Sequence, residues 1–296
     1  MAAPLDTFAA SVALIDFILN VAAVLLWVNW RSLHFDPLAR STPASLVWTL
    51  KPTEKKKLKG WPIWTSLVLL LIVRAVVYWA IGSPADWTPK LDLGLVVPAF
   101  RSDQFLPLLL YSWLSFLRLI IIFYFWLLFL AAINRNSAET DPIQRLIRLH
   151  LGAVARWPWF VQLLLPVILV AALWMALHQV LVYMHITYKA SSTLHLAAQG
   201  LLLGAWLFMS LKYVLPVFLF LHFITSYVYL GMNPLWDFSS TTSRNVLRPI
   251  RWLPLRFGKL DLTPLAGVAL IFLLMDWAPR FILTKLDQRN LTIWPQ

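Results

Sequence analysis

The stretch GMNPLWDFSSTTSRNVLRPIRWLPLRFGKLDLTPL, residues 231–265, separates two long apolar segments and reads unlike either of them. It carries Arg244, Arg248, Arg251, Arg256 and Lys259, two tryptophans, and an Asn-Pro pair at Asn233 and Pro234. Within hydrocarbon every backbone N–H and C=O needs an internal partner, so irregular and basic chain of this kind belongs at a membrane face. The apolar segments on either side then read as membrane spans.

Working outward, the rest of the chain agrees. Of its 296 residues 60% are hydrophobic and 13% charged, and the mean hydropathy is +0.72, more apolar surface than one water-soluble core can hide. Segments long enough to cross a layer about 30 Å thick run from Phe8 to Trp30, Pro62 to Ile81, Pro107 to Ile133, Pro158 to Tyr183, Leu194 to Leu230 and Pro264 to Leu283. The expected fold is therefore all-α: a polytopic helical membrane protein of about six transmembrane helices in a single membrane domain, residues 1–296. The fifth segment exceeds one straight crossing, which predicts tilt, a kink at Pro216, or an overhang at its start. The first segment holds Asp6 and Asp16 and lacks a basic leader and a small-residue cleavage site, so it is expected to remain in the mature protein. No cysteine is present, which excludes thiol nucleophiles and disulfides within these residues.

Charge sets the expected topology. The links 31–60, 134–157 and 231–261 carry 7, 4 and 5 of the 25 lysines and arginines. Basic links are retained on the cytoplasmic side, which puts all three inside and both termini outside. The net charge of +12 is then a topological signal and an attraction to anionic phospholipids; no nucleic acid partner is expected.

Each basic link also contains one Asx-Pro pair: Asp36-Pro37, Asp141-Pro142 and Asn233-Pro234. Fifteen residues after each Asp or Asn stands a base, Lys51, Arg156 or Arg248, with proline close behind, as at Pro249. Two crossings per unit return the chain to its starting side, so the pattern predicts three parallel helical-hairpin repeats, at 8–81, 104–183 and 194–283. An Asx N-cap followed by proline at the first helical position should start a helix in each link. In the middle link Ile143, Leu146, Ile147, His150, Leu151 and Val154 form one predicted face, with Gln144, Arg145 and Arg148 opposite, the pattern of a helix lying in the headgroup layer.

Each span carries one titratable residue expected past the bilayer midplane, towards the outer leaflet: Asp16, Arg74, Arg118, His178, Lys212 and Asp276. Such residues are expensive in hydrocarbon and are expected to face the bundle interior or a partner. Asp16 and Arg74 fall at matching depth in the first hairpin and are the expected ion pair, while Asp276 has Arg118 or Lys212 as candidate partners. The layer reads as charge that fixes helix packing, with an ion or proton path as the alternative. Gly200 and Gly204 form a small-xxx-small pattern that lets another helix approach the fifth span. His178 and His185 share a helical face, but ordinary polar histidines outweigh a metal or haem site. No Walker loop, nucleophile elbow or metal-binding HExxH appears, so no catalytic residue, cofactor or metal is expected.

The third link resembles the signature of the YggT family of small bacterial inner-membrane proteins with plastid relatives. The resemblance rests on Asn233-Pro234-Leu235, Arg248-Pro249-Ile250-Arg251, Leu253-Pro254, Gly258, Asp261-Leu262-Thr263-Pro264 and the apolar segment that follows. Thr263 stands where the family commonly has serine, which keeps a hydroxyl before the helix-starting Pro264. The middle link lacks the Asp-x-Ser/Thr-Pro element, and family members tend to have two hairpins, so a six-span chain would be an expanded relative. The resemblance implies helical hairpins in a bacterial inner (cytoplasmic) membrane or a plastid. Roles proposed for the family are osmotic tolerance, maturation of membrane cytochrome complexes and organisation of cell or plastid structures. The functional expectation is a non-catalytic scaffold or accessory subunit docking against other integral membrane subunits, the alternative an ion transporter or channel using the buried charges.

Overall fold

The structure, a computed structural model, describes residues 3–33, 61–82, 87–135, 141–228, 231, 233–250, 255–257 and 260–288. Asp36, Pro37, Lys51 and Arg251 lie outside these residues, as does the first basic link from residue 34 onward. Among the described residues the chain is helical, with six helices long and apolar enough to span a membrane, as a multi-pass membrane protein requires. Helices dominate because a helix satisfies its own backbone where no water can.

In order, the α-helices are α1 (Ala3–Leu33), α2 (Trp61–Gly82), α3 (Phe105–Ile133), α4 (Pro142–Leu151), α5 (Trp159–Tyr183), α6 (Thr193–Trp206), α7 (Leu211–Tyr227), α8 (Pro234–Val246) and α9 (Thr263–Gln288). A two-residue hairpin, β1 (Arg256–Phe257) with β2 (Leu260–Asp261), precedes α9. The chain divides into two compact units, Met1–Leu91 with Pro98–Ile120, and Asp92–Val97 with Ile121–Gln296.

In the first unit α1 packs along α2. The buried residues of α2 are Leu67, Leu71, Arg74, Ala75, Tyr78 and Gly82, a stripe that recurs every turn or two and so faces one side. Leu67 and Leu71 meet Ala23 and Phe116, and Trp27, Trp30 and Trp64 cluster with ring centroids 5.2–6.1 Å apart.

In the second unit α5 packs along α6, and α7 packs against both α8 and α9. Gly200 and Gly204 make the first contact possible: a Cβ at Gly200 would come within 2.9 Å of the Ala171 backbone, and one at Gly204 within 2.5 Å of the Val167 carbonyl. The small residues thus serve packing within the chain. Phe125, Leu211, Leu215, Leu219, Leu247 and Ile271 form the core around α7. The close pairing of α1 with α2 and of α7 with α9 is not repeated between α3 and α5, whose close partner is α6.

The fifth span is interrupted before Pro216, one of the features expected to accommodate its length. A 3-10 turn over Leu207–Ser210 separates α6 from α7, and Pro216 lies inside α7 without ending it. Ser210 Oγ donates to the Leu207 carbonyl at 2.6 Å and accepts the Trp126 indole N–H at 2.9 Å, which holds the tightened turn.

Candidate functional site

The polar residues gather into two layers, one in each unit. The first is an ion-pair network among α1, α2 and the N-terminal part of α3. Arg74, 1% exposed, sends one guanidinium nitrogen to Asn20 Oδ1 at 2.7 Å and the other to Asp16 Oδ1 and to Ser115 Oγ, the latter at 3.0 Å. The Tyr78 hydroxyl donates to Asp16 Oδ1 at 2.6 Å, and Asn20 Nδ2 donates to Asp16 Oδ2 at 3.1 Å. The rings of Tyr78 and Tyr111 lie 5.6 and 5.4 Å from the guanidinium carbon. Asp16, with 21% of its side chain exposed, is the window on this network, and Arg74 Nε is left without a hydrogen-bond partner. The ion pair anticipated from depth alone is therefore formed. Burying two charges is favourable only when geometry and further hydrogen bonds are good, and Asn20, Ser115 and Tyr78 supply those bonds. Asn20 follows Asp16, and Tyr78 follows Arg74, by one turn, a spacing that marks them as same-face partners.

The rest of the expected charge layer is not assembled in this way. Arg118 and Lys212 are half-buried and make no ion pair among the described residues; Lys212 Nζ lies 5.4 Å from the neighbouring Tyr213 ring. Asp276 pairs with neither. It is exposed on α9, so of the two expected settings, the bundle interior or a partner, it does not occupy the first. An aspartate left unpaired at a span's centre costs about 2.5–3.5 kcal/mol on insertion scales, so its position demands an explanation outside this network. His178 accepts the Ala190 backbone N–H at Nε2, 3.2 Å away, and its ring lies tilted beside Trp174; it ties down the link after α5. His185 sits exposed in that link with a left-handed φ of 56°. No cluster of three metal-ligating side chains occurs among the described residues.

The second layer is built from the middle and third basic links. Asp141 Oδ1 accepts the Ile143 N–H at 2.9 Å and caps α4, with Pro142 at the first helical position. Asn233 Oδ1 accepts the Leu235 N–H at 3.0 Å and caps α8 behind Pro234 in the same manner. The two capped helices pack against one another. Between them Asn134 Nδ2 donates to Thr242 Oγ1 at 2.7 Å, Asn245 Nδ2 donates to Asn134 Oδ1 at 2.9 Å, and Gln144 Nε2 donates to the Asn134 carbonyl at 3.2 Å.

Gln144 is thus buried, with Ile147 and Leu151, while Leu146 is exposed. This corrects the predicted face of α4 by about one position, because the end of α3 at Asn134 needs a donor and Gln144 reaches it. Ser239 and Ser243 both donate to the Phe218 carbonyl, which explains the hydroxyl-rich run in α8 as close packing on α7. Before α9 the capping oxygen also differs from the expected Thr263 hydroxyl: Asp261 Oδ1 accepts the Thr263 N–H at 3.0 Å, with Pro264 next. Arg156, Arg248 and Pro249 are exposed beside these helices, so the bases are available to a charged surface.

The network residues Asn20, Ser115, Tyr78, Asn134, Thr242 and Asn245 carried no charge to single them out in the sequence. Gln162 is a further case: its buried Nε2 lies 3.0–3.2 Å from the carbonyls of Val154, Ala155 and Trp157 and ends the middle link.

The chain matches no family model, no curated protein and no solved structure, so its resemblance to the YggT signature rests on the quoted residues alone.

Proposed function

We infer that the protein is a non-catalytic integral membrane scaffold or accessory subunit of a larger membrane complex. The observation that carries this reading is the contrast between its intramembrane charges. Asp16 and Arg74 neutralise each other inside a hydrogen-bonded network, as a structural ion pair does, whereas Asp276 is exposed on a span with no partner in the described chain. The first gives little support to a conduction path, and the second suits a helix that meets another membrane subunit.

The finer reading follows the sequence. The basic links lie in the cytoplasm with Arg156 and Arg248 against anionic phospholipid, both termini lie outside, and the membrane is a bacterial inner membrane, as the YggT-like signature suggests. The Asx-Pro links descend from one repeated hairpin; the matching caps of α4 and α8 support this.

The test is extraction of the native protein in a mild detergent, followed by size analysis and mass spectrometry of what co-migrates. A reproducible larger complex with defined membrane subunits is the expected result. Recovery of the chain alone would overturn the reading. It would favour the transporter or channel alternative, for which the partly exposed Asp16 is the group to replace in a liposome flux assay.

A further inference from the structure

We propose that the outer half of α9 is the docking face for a transmembrane helix of a different protein, one that presents a lysine or arginine at the depth of Asp276. This deepens the accessory-subunit reading and rests on it.

Two observations meet at this place. First, α9 uses only part of its circumference within the chain: Gly267 and Ile271 are buried, with Val268 and Met275 packed beside them. Other positions stand open, with Leu273 at 63% and Trp277 at 57% exposure. Second, Asp276 is exposed with them and makes no ion pair or hydrogen bond among the described residues. It stands roughly 20 Å along the axis from Thr263, at about 1.5 Å per residue, well inside a layer about 30 Å thick. Arg280, one turn further out, is exposed and forms no bridge to it.

Charge complementarity names the occupant. An ammonium or guanidinium supplies several donors and a positive charge, enough to satisfy the carboxylate. A second copy docking through the same face would be self-complementary and would bring the two Asp276 carboxylates towards each other, which is unfavourable in low dielectric.

The test places a photo-crosslinking residue at position 273 or 277 of the full chain in its native membrane, with extraction and sizing of the same membranes in parallel. The expected adduct maps to a transmembrane helix of another protein that contains a Lys or Arg. Asp276→Lys should reduce it at least tenfold and Asp276→Glu should retain it. Changing the partner's base to Asp in the Asp276→Lys background should restore it. Asp276→Asn, with membrane level and size profile checked, separates loss of docking from loss of insertion. An adduct with a second copy or with lipid alone, or one indifferent to Asp276→Lys, overturns the proposal even where the wild-type chain runs in a complex. A wild-type chain that runs alone instead overturns the accessory-subunit reading beneath it.

Discussion

Arg74 has no contact with solvent, so its charge is tolerable only while Asp16 balances it. Breaking a buried pair by removing one partner typically costs about 3–5 kcal/mol, whereas replacing both by apolar residues can be close to neutral. Asp16→Asn should therefore lower the unfolding midpoint in detergent sharply, and Asp16→Leu combined with Arg74→Leu should recover most of the loss. If the double variant is as damaged as the single one, the pair does more than hold helices together, and the flux assay gains weight. At this scale the sequence was informative where a residue was rare for its setting. A charge in a span is conspicuous, and equal depth in one hairpin was enough to join Asp16 to Arg74. Asn20 and Ser115 were invisible for the opposite reason, since uncharged polar residues are ordinary in spans and only geometry shows which ones carry a network. Depth without direction also misled: Asp276 and Lys212 lie on the packed helices α7 and α9, yet Asp276 is exposed and the two do not pair.

Helices that approach closely should be the most sensitive elements to added volume. The α5–α6 contact is closed by Gly204, where a Cβ would sit 2.5 Å from the Val167 carbonyl oxygen, and backbone cannot swing aside as a side chain can. Gly204→Val should cost about 1–3 kcal/mol through overpacking, read as a lower midpoint in thermal unfolding in detergent. A substitution of the same size at exposed Leu201 should do little. Loss of a helix cap is milder. Asp141→Ala removes the acceptor for the Ile143 N–H, and about 1 kcal/mol of local stability should appear as roughly fivefold faster hydrogen exchange in the first turn of α4. Hydropathy located the spans because lipid leaves few alternatives to a helix. It missed the 3-10 turn at Leu207–Ser210, where the stabilising partner, Trp126, is remote in sequence. It also placed Gln144 on the wet side of α4, because a buried glutamine looks polar until the Asn134 carbonyl it serves is known.

At the scale of the whole molecule, six spans follow from apolar length, but the side on which each link lies follows from charge alone, and that inference is open to a direct check. The sequence contains no cysteine, so each thiol introduced into these residues is the only one in them. Ala153 lies in the basic middle link, whereas Asp103 and Ser191 lie in links poor in bases, and all three are exposed. With positive charge retained in the cytoplasm, a membrane-impermeant maleimide should label Ala153→Cys in inside-out vesicles only, and Asp103→Cys and Ser191→Cys in right-side-out vesicles only. Reversal of all three would invert the topology, moving Arg156 and Arg248 to the outer face and removing the case for cytoplasmic lipid contacts. A mixed pattern would mean that one of the apolar helices does not cross. The helix at fault would be α3 if Asp103→Cys and Ala153→Cys label from the same side, and α5 if Ala153→Cys and Ser191→Cys do, because those helices separate the two pairs.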